Sequence, residues 1–247
     1  MTSLTFFGHG LPGMDDEDLA GKLIAVEGPD AVGRSTQVAL LREWLEAGGY
    51  AVSSSGLKRS DLAGTGIAAA KRGHTLGELT MALFYAADLA DRLEREIIPA
   101  LRAGFVVLTD RYMYSLIARW VVRGVDAQWI RSALGFALVP DAVFYLRCPV
   151  ETLVPRALRS GGFDYWESGM DFSPDSDYYR SYLAYQSRML EQFDSLAAEY
   201  DFHCIDATQS IEAVFAELRD AVGEVVAELK PERTAATGTR AESPPMF

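Results

Sequence analysis

Gly28-Pro29-Asp30-Ala31-Val32-Gly33-Arg34-Ser35-Thr36 is the stretch that decides the fold. It follows the apolar run Leu23-Ile24-Ala25-Val26 and opens onto a helix-like segment, 37–46. Strand, glycine-bearing loop and helix in that order make a phosphate-binding loop. Successive backbone N–H groups point into a concavity that holds phosphate oxygens, the helix adds its positive N-terminal end, and a hydroxyl faces Mg²⁺. Gly28 and Gly33 permit backbone angles and a close approach that a Cβ would block. Arginine, Arg34, stands where such a loop ordinarily carries lysine.

Outward from the loop the chain alternates. Candidate strands are 23–26, 51–54, 105–108, 142–146 and 202–205; helical segments cover 37–46, 76–103, 114–122, 127–136, 150–159, 178–199 and 211–229. At least three of the strands lack polar alternation, as expected of parallel strands covered on both faces. The pattern predicts an α/β fold, a three-layer doubly wound parallel sheet of about five strands, with ligands at the carboxyl ends of the strands. Residues 1–20, with an apolar patch at 4–7, a Gly/Pro turn at 8–13 and an acidic run at 15–18, read as a surface extension with one short strand. The phosphate-loop domain is expected over 21–229, with a small lid near 156–172, and the Pro/Thr/Ala/Ser-rich tail 230–247 is expected to be disordered.

A length of 247 residues suits one such domain. No apolar run approaches the roughly 20 residues a membrane span needs, and no basic-then-apolar leader is seen at the N-terminus. Cys148 and Cys204 are too few for a disulfide framework, which makes a reducing cytoplasm the expected compartment. The net charge of −12 argues against a broad surface for a nucleic-acid polymer. It leaves room for a pocket with a few local cations and a small phosphorylated partner. The three histidines are scattered, and Trp129 is expected to pack in the core.

At the end of the third apolar run stand Thr109-Asp110-Arg111-Tyr112. A carboxylate there is placed to reach Mg²⁺ opposite the loop, and Arg111 to grip a phosphate with its fork of N–H donors. The alternative is an Asp110 that caps the next helix with Arg111 as its ion-pair partner. Phosphoryl transfer needs cations around the group in flight, and Arg34, Arg111, Arg156 and Arg159 are the candidates. Arg156 and Arg159 lie three residues apart before Ser160-Gly161-Gly162; a closing lid and a solvated basic face both suit them.

Taken together these motifs resemble the thymidylate kinases, P-loop enzymes that move the γ-phosphate of ATP onto dTMP. The resemblance spans roughly 22–226. Glu27-Gly28-Pro29-Asp30 with Gly33-Arg34-Ser35-Thr36-Gln37 is similar to that family's loop, and Phe84-Tyr85-Ala86-Ala87, Ile98-Pro99-Ala100-Leu101 and Asp110-Arg111-Tyr112 to its central signature. Gly161 to Glu167 falls at its lid, and Ile205-Asp206-Ala207-Thr208 at the segment that flanks the adenine. The resemblance implies ATP and Mg²⁺ as cofactors and a homodimer. Gly28, Asp30, Ala31, Val32, Gly33, Arg34, Ser35 and Thr36 would bind ATP, and Ser35 and Asp110 the metal. Asp30, Arg59, Arg111, Ser115 and Arg119 would bind the acceptor, Asp30 facing its sugar. Arg34, Asp110, Arg111, Arg156 and Arg159 would be catalytic.

The departures fall in the acceptor pocket and among the cations. Leu89 stands in place of the family's base-reading arginine, and Ala118-Arg119-Trp120 in place of Ala-Tyr-Gln. In the lid, Asp164-Tyr165-Trp166-Glu167 lacks the arginine of Asp-Arg-x-Glu. The Arg-Glu-Pro-Gly after the second strand is absent, with Lys58 and Arg59 nearby. Three readings follow: a dTMP kinase, a kinase of the same fold for another small acceptor, and a nucleotide-binding protein without turnover.

Overall fold

The structure, a computed structural model, describes residues 2–3, 5–14, 18–57, 60–73, 75–171 and 177–229. The expectations placed on Lys58, Arg59, His74, residue 172 of the lid and the tail 230–247 therefore lie outside the described residues.

Five parallel strands form the central sheet: β3 (Lys22–Glu27), β4 (Val52–Gly56), β5 (Val106–Asp110), β6 (Ala142–Arg147) and β7 (His203–Asp206). Their spatial order is β4-β5-β3-β6-β7. Two further strands, β1 (Thr2–Ser3) and β2 (Asp18–Leu19), pair antiparallel beside it. The register sets Ala25 against Thr109 and Val26 against Asp110, so the loop after β3 and the end of β5 emerge side by side. The chain moves from β3 outward to one edge and then, after β5, crosses to the other; that reversal places the crevice over the end of β3.

Helices cover both faces. One layer holds α1 (Arg34–Ala47), α7 (Val150–Arg159) and α9 (Ile211–Val226). The other holds α2 (Gly64–Gly73), α3 (Glu78–Arg92), α4 (Ile98–Arg102), α5 (Met113–Val122), α6 (Ala127–Ala133) and α8 (Tyr178–Glu199). Strand side chains alternate between the two cores. Leu23, Ala25, Val107 and Tyr145 pack with α3, α5 and α8, whereas Ile24, Val26, Leu108 and Phe144 pack with α1 and α9. Both faces are buried, which is why these strands show no polar alternation. At about 1.5–3 kcal/mol for each large aliphatic chain removed from water, the two cores dominate the stability.

The single helix expected over 76–103 is interrupted by a wide turn at Leu93–Ile97. Pro99 gives the reason: it offers no N–H, and its ring clashes with the carbonyl four residues back, so the coil widens there. Residues 5–14 differ from the expected surface extension. Phe7 N donates to the carbonyl of Ala137 and Val139 N to that of Thr5, each at 2.8 Å, while Phe6, Phe7, Leu11 and Met14 pack on the core. Trp129, expected in the core, is 36 % exposed on α6.

Candidate active site

The loop after β3 takes the shape its residues permit. Gly28 has a φ of +144°, and a Cβ on it would stand 2.7 Å from the carbonyl oxygen of Leu146. Ala31 (φ 63°) and Gly33 (φ 107°) both adopt left-handed conformations, and α1 begins at Arg34. Over the loop lies a cavity of about 650 Å³. Asp30, Arg34, Ser35, Thr36 and Arg156 line that loop cavity, together with residues 160–164 and Glu167.

Arg34 turns back over its own loop. Its Nη1 donates to the carbonyls of Gly28 (2.6 Å) and Pro29, and its Nε to Asp110 Oδ1 at 2.9 Å. Ser35 Oγ donates to the other oxygen of Asp110 at 2.6 Å. Burial opposes the charge on Asp110, but Arg34, Ser35 and Arg111 outweigh it and hold the carboxyl below its ordinary value. One hydroxyl and one ionised carboxylate, both hard oxygen donors, suit Mg²⁺, which takes few protein ligands and keeps water and substrate phosphate for the rest.

Glu27, the last residue of β3, is fully buried and was not singled out by the sequence reading. It accepts from Tyr112 N at 2.9 Å, from Ser115 N at 3.2 Å and from Ser115 Oγ. The two N–H groups belong to the start of α5, where they have no partner within the helix. The cap on α5 is thus Glu27 rather than Asp110, and Arg111 pairs with Asp30 rather than Asp110. Burial pushes the Glu27 carboxyl up to about 7, against the pull of Ser115, Tyr112, Arg111 and Arg34.

Arg111 holds a left-handed backbone (φ 72°), an uncommon conformation for a residue with a Cβ. Its side chain is buried against Asp30 and reaches Ser115 Oγ at 3.4 Å. Arg119, also buried, approaches the second oxygen of Asp30 at 3.7 Å. Burial works against charge on Asp30, but Arg111, Arg119 and Arg34 together hold its carboxyl well below the usual carboxylate range. Asp30 Oδ2 and Arg119 Nε have no hydrogen-bond partner among the described residues. A second cavity of about 200 Å³ opens here, walled by Asp30, Arg34, Asp110, Arg111, Arg119 and Glu167 among others. The negative charge of Asp30, and then burial, pushes the Glu167 carboxyl up.

Other predicted residues are placed differently from one another. Arg156 donates to the carbonyls of Val32 (3.0 Å) and Ala207 (2.8 Å), joining the phosphate loop to the segment after β7. Arg159 is exposed and lines neither cavity. Ser115 is fully buried behind Arg111. Leu89 lies in the core and offers the second cavity nothing. Arg92, one turn on, is also fully buried, paired with Asp88 at 3.0 Å and bonded to Ser55. Arg123, missed in the sequence, fixes residues 166–171. It donates to the Trp166 carbonyl at 2.9 Å, to both oxygens of Asp171 and to Tyr185 Oη. The signal available was an arginine placed directly after the largely apolar run 113–122.

Comparison with known proteins agrees with this geometry. The family model described as thymidylate kinase matches residues 26–218. A protein named probable thymidylate kinase 2 from Saccharolobus solfataricus is 35 % identical over 84 % of this chain and 98 % of its own length. A probable thymidylate kinase from Thermococcus gammatolerans is 32 % identical over 85 % of this chain and 98 % of its own. One from Bifidobacterium longum, named thymidylate kinase, is 34 % identical over 84 % and 100 % respectively. With a phosphate loop at the switch point of a five-stranded parallel sheet and this match along most of its length, the chain belongs to the thymidylate kinase family of ATP-dependent nucleoside monophosphate kinases.

Proposed function

We propose that the chain transfers the γ-phosphoryl group of ATP to dTMP, giving dTDP and ADP, with the loop cavity as donor site and the Arg111 cavity as acceptor site. One observation carries this assignment: Asp30, Arg34 and Glu167 line both cavities. A phosphoryl group bound over the loop and a nucleophile bound beside Arg111 would then be neighbours, in cavities that share these three residues.

In the transfer an oxygen of the acceptor phosphate forms a bond to the γ-phosphorus, and the bond to the bridging oxygen breaks, leaving its electron pair on ADP. The acceptor phosphate is ionised near neutral pH, so positioning and charge do the work. The N–H groups of the loop and Arg34 hold the β- and γ-phosphates. Ser35 and Asp110 would hold Mg²⁺, which would supply positive charge against the phosphate oxygens during transfer. Arg111 orients the acceptor phosphate, Ser115 steadies Arg111, and Asp30 with Arg119 receives the sugar side of the acceptor. Arg156 fixes the loop against the segment after β7 at the donor site, and Arg159 is assigned to the closed lid. Arg59 keeps its assignment to the acceptor phosphate from its position after β4.

The homodimer implied by the family has an apolar face available on α3, where Leu79 and Leu83 are 54 % and 47 % exposed. No helix among the described residues is long and apolar enough to cross a membrane, and the cysteine usage supports a cytoplasmic enzyme. The buried, unreachable Leu89 favours a second reading, in which a different nucleoside monophosphate is the better acceptor. ADP release with ATP, Mg²⁺ and a panel of nucleoside monophosphates, corrected for ATP alone, tests both. The highest kcat/KM with dTMP supports the assignment, and a higher value with another acceptor replaces it.

A further inference from the structure

We propose that Gln186 is a positioning residue for the acceptor site, tying the segment that carries Trp166 and Glu167 to the phosphate loop at Asp30. Its consequence for the acceptor rests on the acceptor reading of the Arg111 cavity, and the tie itself on the geometry of α8. The buried stripe of that helix includes Ser181, Tyr182, Tyr185, Gln186, Met189 and Phe193. Ser181 and Gln186 are used where the helix meets residues 166–168. Gln186 Nε2 donates to the carbonyl of Glu167 at 2.8 Å, and Ser181 Oγ to that of Ser168 at 2.6 Å. Arg123, which follows α5, donates to the carbonyl before them, that of Trp166, at 2.9 Å. Three successive carbonyls are each taken by a buried side chain.

Burying an amide costs free energy that a methionine or leucine in the same stripe would not incur, unless the amide is hydrogen-bonded. The amide of Gln186, fully buried, spends its donor on the lid segment. It also acts on the loop. Against burial, Arg111, Arg119 and Arg34 keep the Asp30 carboxyl ionised, and hydrogen bonding from Gln186 adds to their pull. Asp30 and Glu167 are two of the three residues that the donor and acceptor cavities share, so one buried amide bears on both. Gln186 itself lines neither cavity; it acts through these two carboxylates and not on the substrate. A surface fixed before the acceptor arrives spares binding the entropy of ordering it. Losing the tie therefore weakens acceptor binding more than it slows the chemical step.

The test uses the full chain and the variants Gln186→Met, which keeps the length of the side chain and removes its donor, and Ser181→Ala. Gln186→Met is expected to raise KM for dTMP about tenfold with kcat within about twofold, the scale of one lost buried hydrogen bond. Amide exchange over residues 164–171 should quicken while β3 and β5 exchange as before. Ser181→Ala releases only the neighbouring carbonyl of Ser168; it is expected to quicken the same exchange but to move KM for dTMP by less than about twofold. An unchanged KM in Gln186→Met would overturn the proposal. So would equal KM effects in the two variants, which would make Gln186 one fastening of the segment among others. Exchange quickened equally in 164–171 and in the central strands, with a lower Tm, would leave Gln186 a packing role alone and refute the tie. If the unaltered chain phosphorylates no dTMP, the acceptor reading fails by itself, and exchange decides whether Gln186 holds the segment.

Discussion

Arg34 and Asp110 meet at 2.9 Å, joining the first residue of α1 to the last residue of β5 across the mouth of the phosphate loop. The contact explains how arginine is accommodated at a position suited to lysine. One nitrogen holds the carboxylate while another holds the loop carbonyls, so the longer, planar group lies along the loop instead of filling it. Lysine at this position keeps the charge but not the fork. Arg34→Lys is therefore expected to keep kcat within about tenfold, and Arg34→Ala to lower it by about 10²- to 10³-fold, as loss of a transition-state donor does. Steady-state kinetics at saturating ATP decide; an unimpaired Arg34→Ala would remove Arg34 from the mechanism.

Asp110 serves Arg34 with one oxygen and Ser35 with the other. Asp110→Asn keeps the shape and removes the charge. The Mg²⁺ concentration for half-maximal activity is expected to rise about tenfold or more, in line with losses at comparable metal positions. A magnesium titration at fixed ATP checks this, and an unshifted midpoint would exclude Asp110 as a metal ligand.

Glu27 ties stability to pH. Burial raises its folded-state value to about 7 from an ordinary 4.5. The folded chain therefore binds the proton more tightly than the unfolded chain does. The stabilisation is full below about 4.5 and is lost as pH rises through about 7, a change on the order of 3 kcal/mol at 1.36 kcal/mol per unit. Glu27→Gln mimics the protonated form, with its carbonyl free to accept from Tyr112 N and Ser115 N. The difference in Tm between the variant and the unaltered chain should move in favour of the variant as pH rises from 5 to about 8. A difference that is flat with pH would contradict the raised value.

Arg123 and Asp171 form a nearly buried pair, with side chains 2 % and 10 % exposed, at the end of the segment that carries Trp166 and Glu167. Arg123→Met is expected to cost about 3 kcal/mol, as breaking one side of a buried pair does. It should also speed amide exchange through residues 164–171 more than in the central strands. Equal acceleration in both would mean that Arg123 serves global stability alone.

Much of this was legible in the sequence because it depends on local order. An apolar run before Gly28 and a hydroxyl pair after Gly33 specify strand, loop and helix, and the unalternating runs at 105–108 and 142–146 specify buried parallel strands. What stayed hidden depends on distance in the chain. α2 reads Gly-Thr-Gly-Ile-Ala-Ala-Ala-Lys-Arg-Gly, with glycines at both ends and few large apolar residues, so its helix is set by Ile67 and Ala70 meeting the core. Glu27 looked like part of a loop motif, and only the fold shows that it caps α5, 85 residues away. Arg156 and Arg159 share a helix and a spacing, yet one is drawn inward by the Val32 and Ala207 carbonyls and the other is left in solvent.

The central claim is direct transfer between two cavities that meet at Asp30, Arg34 and Glu167. The most direct measurement supplies ATP labelled in its γ-phosphate, with Mg²⁺ and dTMP, and follows the label by chromatography. The account predicts label in the β-phosphate of dTDP, formed in step with ADP and without a labelled protein. Label recovered only as inorganic phosphate, or retained on the protein, would contradict it.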